Sequence, residues 1–196
     1  MSFKNFKIHL KTINKHKREV MKLCFKAHMY KQGLLHDLSK YSLTELKTGW
    51  KFADGKRSPI DNEKDVLGYS NSWLHHFHKN KHHYEFWYNP NQKKCYDMPT
   101  KYIYETVLDR IAACKIYQKN NYTKDSAYNY FIKSKVDPKE MGEWNAARVF
   151  YLLKHLSIYG EQSLLSDIKF NVFEEFFEKY KLKLIEEYKK AYQGGK

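Results

Sequence analysis

The side chains best suited to chemistry in this chain are histidines and carboxylates set among apolar and aromatic residues. His36 and Asp37 are adjacent within Gly33-Leu34-Leu35-His36-Asp37-Leu38-Ser39-Lys40. The three leucines predict a buried segment. A buried carboxylate beside an imidazole is costly unless it is paired or holds a cation. His16, Asp109 and the five histidines at 75, 76, 78, 82 and 83 could supply the missing partners. A mixed His/carboxylate set suits Mn²⁺, Fe²⁺, Co²⁺ or Zn²⁺ better than Ca²⁺. One or two such divalent ions lower the pKa of bound water to about 7, and two ions roughly 3.5–4 Å apart can hold a nucleophile and a phosphoryl oxygen together.

Helices must position these groups. Phe6, Leu10, Ile13, Val20, Leu23 and Ala27 recur at helical spacing, which predicts a helix over 4–31 with His16 on its inward face. Gly33 is expected to break or bend it, with His36-Asp37 on a short helix ending near Tyr41. Ser42-Leu43-Thr44-Glu45 matches a capping box and opens a helix to about Phe52. Ala53–Asn62 reads as a surface loop, and Lys56, Arg57 and Ser58 on it could touch phosphate or simply be solvated.

If 63–88 is helical, His75 shares a face with His82, and His76 with His83. If Asn80 ends the helix, the second pair turns back toward the first. Interleaved Trp73, Phe77, Tyr84 and Trp87 argue that part of this cluster is buried. Pro99 suits the start of a helix to about Gln118, with Tyr102, Thr106, Asp109, Ala113 and Ile116 as its stripe. A carboxylate on that face wants a cation, either a metal or a residue such as Arg110. Three further helices are expected: Lys124–Lys133 capped by Thr123, one from Pro138 to Tyr159, and one over about Phe170–Tyr192 striped by Phe173, Phe177, Tyr180, Leu184 and Tyr188.

The whole reads as all-α: a single-domain helical bundle over 1–196, with a motif-bearing core at about 5–118 and packing helices at about 138–192. Only 8 glycines and 4 prolines argue against a β-sandwich, and 17 Tyr, 12 Phe and 4 Trp predict a core built on rings. The net charge of +14 favours phosphate-bearing partners, although the basic residues are spread along the chain. That spread, with no recognised reading motif, makes nucleic acid a less favoured partner than a small ligand. Cys24, Cys95 and Cys114 have no CxxC spacing and read as free thiols of a reducing compartment. No apolar run reaches membrane-spanning length and no signal peptide is evident, so a cytoplasmic location is expected.

The order His16, His36-Asp37, paired histidines, Asp109 resembles the HD superfamily of metal-dependent phosphohydrolases. Leu-Leu-His36-Asp37-Leu-Ser-Lys40 is similar to that superfamily's Leu-Leu-His-Asp-Ile-Gly-Lys. More closely, His16-Lys17, His36-Asp-Leu-Ser-Lys-Tyr41, Gly68-Tyr-Ser70, Trp73-Leu-His-His76 and Asn80-Lys-His-His-Tyr-Glu85 resemble an uncharacterised family of bacterial and phage proteins. The resemblance implies an HD-like fold. It implies a first metal held by His16, His36, Asp37 and Asp109. It also implies a second metal held by His75 or His76 and His82 or His83, with Asp37 bridging. The short interval from His16 to His36 leaves His28 as a rival ligand.

Lys40, Lys79, Lys81 and Arg110 are candidates to stabilise phosphate charge, and Glu85 to shuttle a proton. The expected activity is that of a phosphomonoesterase or phosphodiesterase on a nucleotide or other small phosphorylated ligand, with Asp37 at its centre. A di-iron oxygenase and a non-catalytic nucleotide-binding module are the alternatives. A homo-oligomer is left open.

Overall fold

The stripe from Ile13 to Ala27 forms the inner face of α1 (Phe3–Lys26), which buries Ile13, His16, Val20, Leu23 and Cys24. This is a computed structural model, and it describes residues 3–54, 57–134 and 136–194. The helix stops earlier than its spacing predicts, at His28, whose φ is +58°. Gly33 is not the breaker. It lies buried inside α2 (Tyr30–Leu35), where an added Cβ would stand 2.9 Å from Cβ of Cys24. Its bare Cα lets α2 lie close against α1.

His36 and Asp37 are not on a helix either. His36 is extended, and Asp37 takes the left-handed conformation (φ 52°, ψ 28°) before a tight helical turn over Leu38–Tyr41. Asp tolerates that region better than β-branched residues do.

Three short helices follow, each capped by a serine side chain: α3 (Leu43–Phe52) by Ser42, α4 (Pro59–Leu67) by Ser58 and α5 (Asn71–Lys79) by Ser70. Gly68, at φ +78°, ends α4. Asn80 ends α5. A minimal antiparallel pair joins β1 (Tyr88–Asn89) to β2 (Lys94–Cys95), with Tyr88 opposite Cys95.

The rest is helical: α6 (Thr100–Gln118), α7 (Ser126–Ser134), α8 (Pro138–Met141), α9 (Glu143–Tyr159), α10 (Glu161–Lys169) and α11 (Val172–Gly194). Gly142, at φ +81°, divides the single helix expected over Pro138–Tyr159. Residues 161–169, to which the sequence pattern assigned no element, form α10. Helix α6 is buried nearly all round, from Ile103 to Cys114, so one inward stripe was too narrow a description of it.

The architecture is an all-α bundle around one apolar core. Val20, Leu23, Val107, Leu108, Ile111, Leu152, Leu153 and Leu156 meet the rings of Phe131, Phe150, Phe173, Phe177 and Tyr188 there. Residues 28–97 are built differently. Among the described residues of this span, the only buried apolar side chains are Cys95 and Pro59. Ten polar side chains are buried in the same span, among them His36, Asp37, Glu45, Glu63, His76 and His82. Leu34, Leu35 and Leu38 are 55, 53 and 48 % exposed, so the expectation that they bury the His-Asp pair is reversed. Polar neighbours enclose it instead.

Candidate metal centre

Four segments converge on Asp37. Helix α1 brings His16, and α6 brings Glu105 and Asp109 from its face opposite the apolar core. Helix α5 brings His76, and the chain beyond its Asn80 cap turns back with His82 and His83. The rings of His76 and His83 are 4.8 Å apart at their centroids, and those of His82 and His83 are 4.2 Å apart.

The two oxygens of Asp37 face different groups. Oδ2 lies 3.3 Å from Nε2 of His36 and 3.9 Å from Nε2 of His16. Oδ1 lies 3.3 Å from Nε2 of His76 and 3.5 Å from Nε2 of His82. Asp109 closes the first group, with Oδ1 2.8 Å from His16 Nε2 and 3.4 Å from His36 Nε2. His16, His36, Asp37 and Asp109 form one set of four ligand atoms within 4.8 Å of one another. Asp37, His76, His82 and His83 form a second such set, sharing Asp37 with the first.

Nε2 of His16, His36, His82 and His83, and Oδ1 of Asp37, are buried without a hydrogen-bond partner among the described residues. Buried polar atoms are nearly always satisfied. One oxygen of Asp37 and four imidazole nitrogens, divided between the two sets, fit cations that accept their lone pairs.

Outer carboxylates orient the imidazoles. Glu105 Oε1 lies 3.0 Å from Nδ1 of His36 and 3.3 Å from Nδ1 of His82, which leaves both Nε2 atoms turned inward. Glu45 contacts Nδ1 of His76 at 3.1 Å and Nδ1 of His75 at 3.0 Å. The Lys17 ammonium donates to the carbonyl of His36 at 2.8 Å, and the Thr106 hydroxyl donates to that of His82 at 2.5 Å. These bonds hold the backbone beneath the ligands.

Electrostatics keep the set charged when no ion is bound. Burial alone would raise the Asp37 pKa, but the His36 and Lys40 charges hold it well below the usual carboxylate range. Burial would likewise raise that of Asp109, and His16 and His36 hold it low. Burial would lower the His36 pKa, but Asp37, Asp109 and Glu105 hold it well above the ordinary imidazole value. His83 is the opposite case, lowered by burial and by His82 and His76, and so carries a free lone pair at neutral pH.

A family model matches residues 5–154 and describes a family of unknown function, DUF5662. The chain belongs to DUF5662. No curated protein and no solved structure matches it. The DUF5662 match takes in every side chain of both ligand sets and both outer carboxylates, and leaves α10 and α11 outside.

Of the other expected site residues of this DUF5662 protein, Lys40 stays at the centre and the rest are dispersed. His75 turns to Glu45 and stands in neither ligand set. His28 is exposed and stacks on Tyr30. Lys40 pairs with Asp37 and lines a cleft that reaches the centre. Lys79 is exposed; Lys81 is also exposed and lies over the Phe86 ring. The Arg110 guanidinium turns away to the ring of Phe131. Glu85 is half-buried outside both sets, and desolvation raises its pKa. Arg57 is engaged by Asp65 and Asn62, Ser58 caps α4, and Lys56 lies outside the described residues.

Glu45 and Glu105 carry no signal of this role in the sequence. Glu45 reads as the far half of a capping box. Its backbone N–H does donate to Ser42 Oγ at 3.3 Å, but its carboxylate goes to the histidines. The one available clue to Glu105 is its position four residues before Asp109, on the same helical face.

Proposed function

We propose that this chain is a metal-dependent phosphohydrolase, a phosphomonoesterase or phosphodiesterase that acts on a nucleotide or other small phosphorylated ligand. The observation that carries the reading is the convergence of four buried imidazole nitrogens without hydrogen-bond partners, those of His16, His36, His82 and His83, on the Asp37 carboxylate. His16, His36, Asp37 and Asp109 would hold one divalent ion, and His76, His82 and His83 a second, with Asp37 between them. A bound transition ion supplies Lewis acidity there and lowers the pKa of a coordinated water to about 7. The order of the first set is that of the HD superfamily, which supports a likeness in chemistry.

The chain's own groups then have separate tasks. Lys40 stays protonated because Asp37 and Asp109 outweigh the effect of its burial. Its ammonium, on the cleft wall, offsets negative charge on a phosphoryl group. Glu105 and Glu45 fix the imidazole tautomers by accepting from Nδ1. The cleft is about 260 Å³ and approaches the centre past His16, Lys40 and Asp109, so a small ligand reaches the first set directly.

Elemental analysis of protein purified without a His-tag, followed by phosphate-release assays on nucleotides and cyclic dinucleotides, tests this reading. Stoichiometric metal and phosphate release that is lost in Asp37→Ala is the expected result. Full activity in Asp37→Ala overturns it. The three imidazoles beside Asp37 in the second set also suit iron, and so favour a di-iron oxygenase as the second reading. An iron-dependent absorption or EPR signal would select it, and a colourless Mn or Zn protein would exclude it.

A further inference from the structure

The cleft poses a question that the ligand sets do not answer. The chain carries +14, yet among the described residues the lysine and arginine side chains lining the cleft are Lys40, which also pairs with Asp37, and Arg57, which is engaged by Asp65 and Asn62. Glu45 and Asp109 line it too. Its walls combine Ile8, Ile13, Pro59 and Ile60 with the small polar side chains of Thr12, Thr48, Ser58 and Ser72. Apart from ions held by the ligand sets, the described lining offers one ammonium to a phosphoryl group and no row of cations for a nucleic-acid backbone.

One polar ring stands in those walls without a task. His9, from α1, is half-buried in the cleft, and neither ring nitrogen has a partner among the described residues. The ring's place is prepared on α3. A Cβ at Gly49 would stand 2.4 Å from Cδ2 of His9, so only glycine admits the imidazole there. Burial and the nearby Lys40 charge lower the His9 pKa to about 4, and the ring is neutral at physiological pH.

Resting on the phosphohydrolase reading, we infer that His9 is a specificity residue that hydrogen-bonds the uncharged body of a phosphomonoester whose phosphoryl group lies against Lys40 and the first ligand set. A neutral imidazole offers one donor and one acceptor, which suits a nucleobase edge or a sugar hydroxyl. The ligand class is a monophosphate with a small, uncharged, hydrogen-bonding body, not a triphosphate, dinucleotide or oligonucleotide.

Calorimetric binding to the metal-loaded, full-length protein tests the assignment, with inorganic phosphate, AMP, CMP, GMP, UMP and their triphosphates as probes. At least one monophosphate should bind more tightly than inorganic phosphate and at least as tightly as its triphosphate. His9→Phe, which keeps a ring but loses the hydrogen bonds, should weaken that monophosphate about five- to tenfold and leave inorganic phosphate unchanged. His9→Gln should recover most of the loss. Gly49→Ala, which displaces the ring without removing it, should behave like His9→Phe. Unchanged monophosphate affinity in His9→Phe overturns the assignment, as does affinity that climbs with each added phosphate. Failure of the wild-type protein to bind inorganic phosphate at all sinks the phosphohydrolase reading instead.

Discussion

Glu105 holds Nδ1 of His36 at 3.0 Å, and so turns Nε2 of that ring toward Asp37 and Asp109. The same carboxylate reaches His82 across the shared ligand, so one residue of α6 orients an imidazole in each set. Outer partners of this kind typically contribute 10–100-fold in metal affinity. Glu105→Gln, which keeps the shape but weakens the acceptor, should lower metal affinity by about that factor while circular dichroism stays unchanged. Undiminished affinity in a chelator competition would show that Glu105 only fills space.

Asp37 has no substitute within the centre, because its two oxygens face different sets. Asp37→Asn keeps the size and removes the charge. It should reduce metal content further than Glu105→Gln does, with both equivalents affected together. Loss of one equivalent with the other retained, read by elemental analysis, would contradict the bridging geometry.

The pKa shifts predict opposite pH dependences for the loaded and chelated protein. In the chelated protein, the depressed Asp37 and Asp109 contribute stability above about pH 4, and this is lost as pH falls through their folded values. The raised His36 contributes below about pH 6.5, and this is lost as pH rises through its folded value. For these three groups the chelated protein gains most between about pH 4 and 6.5, while His83 and His9, whose pKa values are lowered, work against it below about pH 6.5. Metal binding requires unprotonated imidazoles, so the loaded protein should lose stability as the solution is acidified. Thermal melts with and without EDTA should diverge from pH 5.5 to 8. Parallel curves would mean that no ion is held by these histidines.

Gly33 offers a test of how α2 delivers the His-Asp pair. An alanine there meets Cβ of Cys24 at 2.9 Å, on an atom that cannot swing aside. Gly33→Ala should cost about 1–3 kcal/mol, the usual range for overpacking. It should also weaken metal binding, since α2 runs directly into His36. Urea denaturation that shows no change in midpoint would rule out the close approach.

The helices were legible wherever an apolar face repeats. The stripe through Val20 and Leu23 and that through Phe173, Phe177, Leu184 and Tyr188 both face the core. The His-Asp pair was legible as chemistry but misread as structure. Its flanking leucines point outward, and Asp37 owes its position to a left-handed backbone that no spacing announces. The choice between His75 and His76 depended on which ring of α5 reaches Asp37, a contact between distant segments of the chain. Glu105 and Glu45 stayed hidden because a charged residue on a helix is ordinarily a solvated one.

The distribution of buried groups makes the molecule two kinds of solid. Around α6, α9 and α11 the interior is oil, and water's aversion to it is enough to hold the helices together. Between residues 28 and 97 the interior is closer to a salt, with imidazoles and carboxylates packed where leucines would ordinarily be. A salt lattice short of its cations does not cohere. Stripping the ions should therefore loosen α2 to α5 while the oily half stands, which makes ion supply a determinant of how firmly the salt-like half holds its shape.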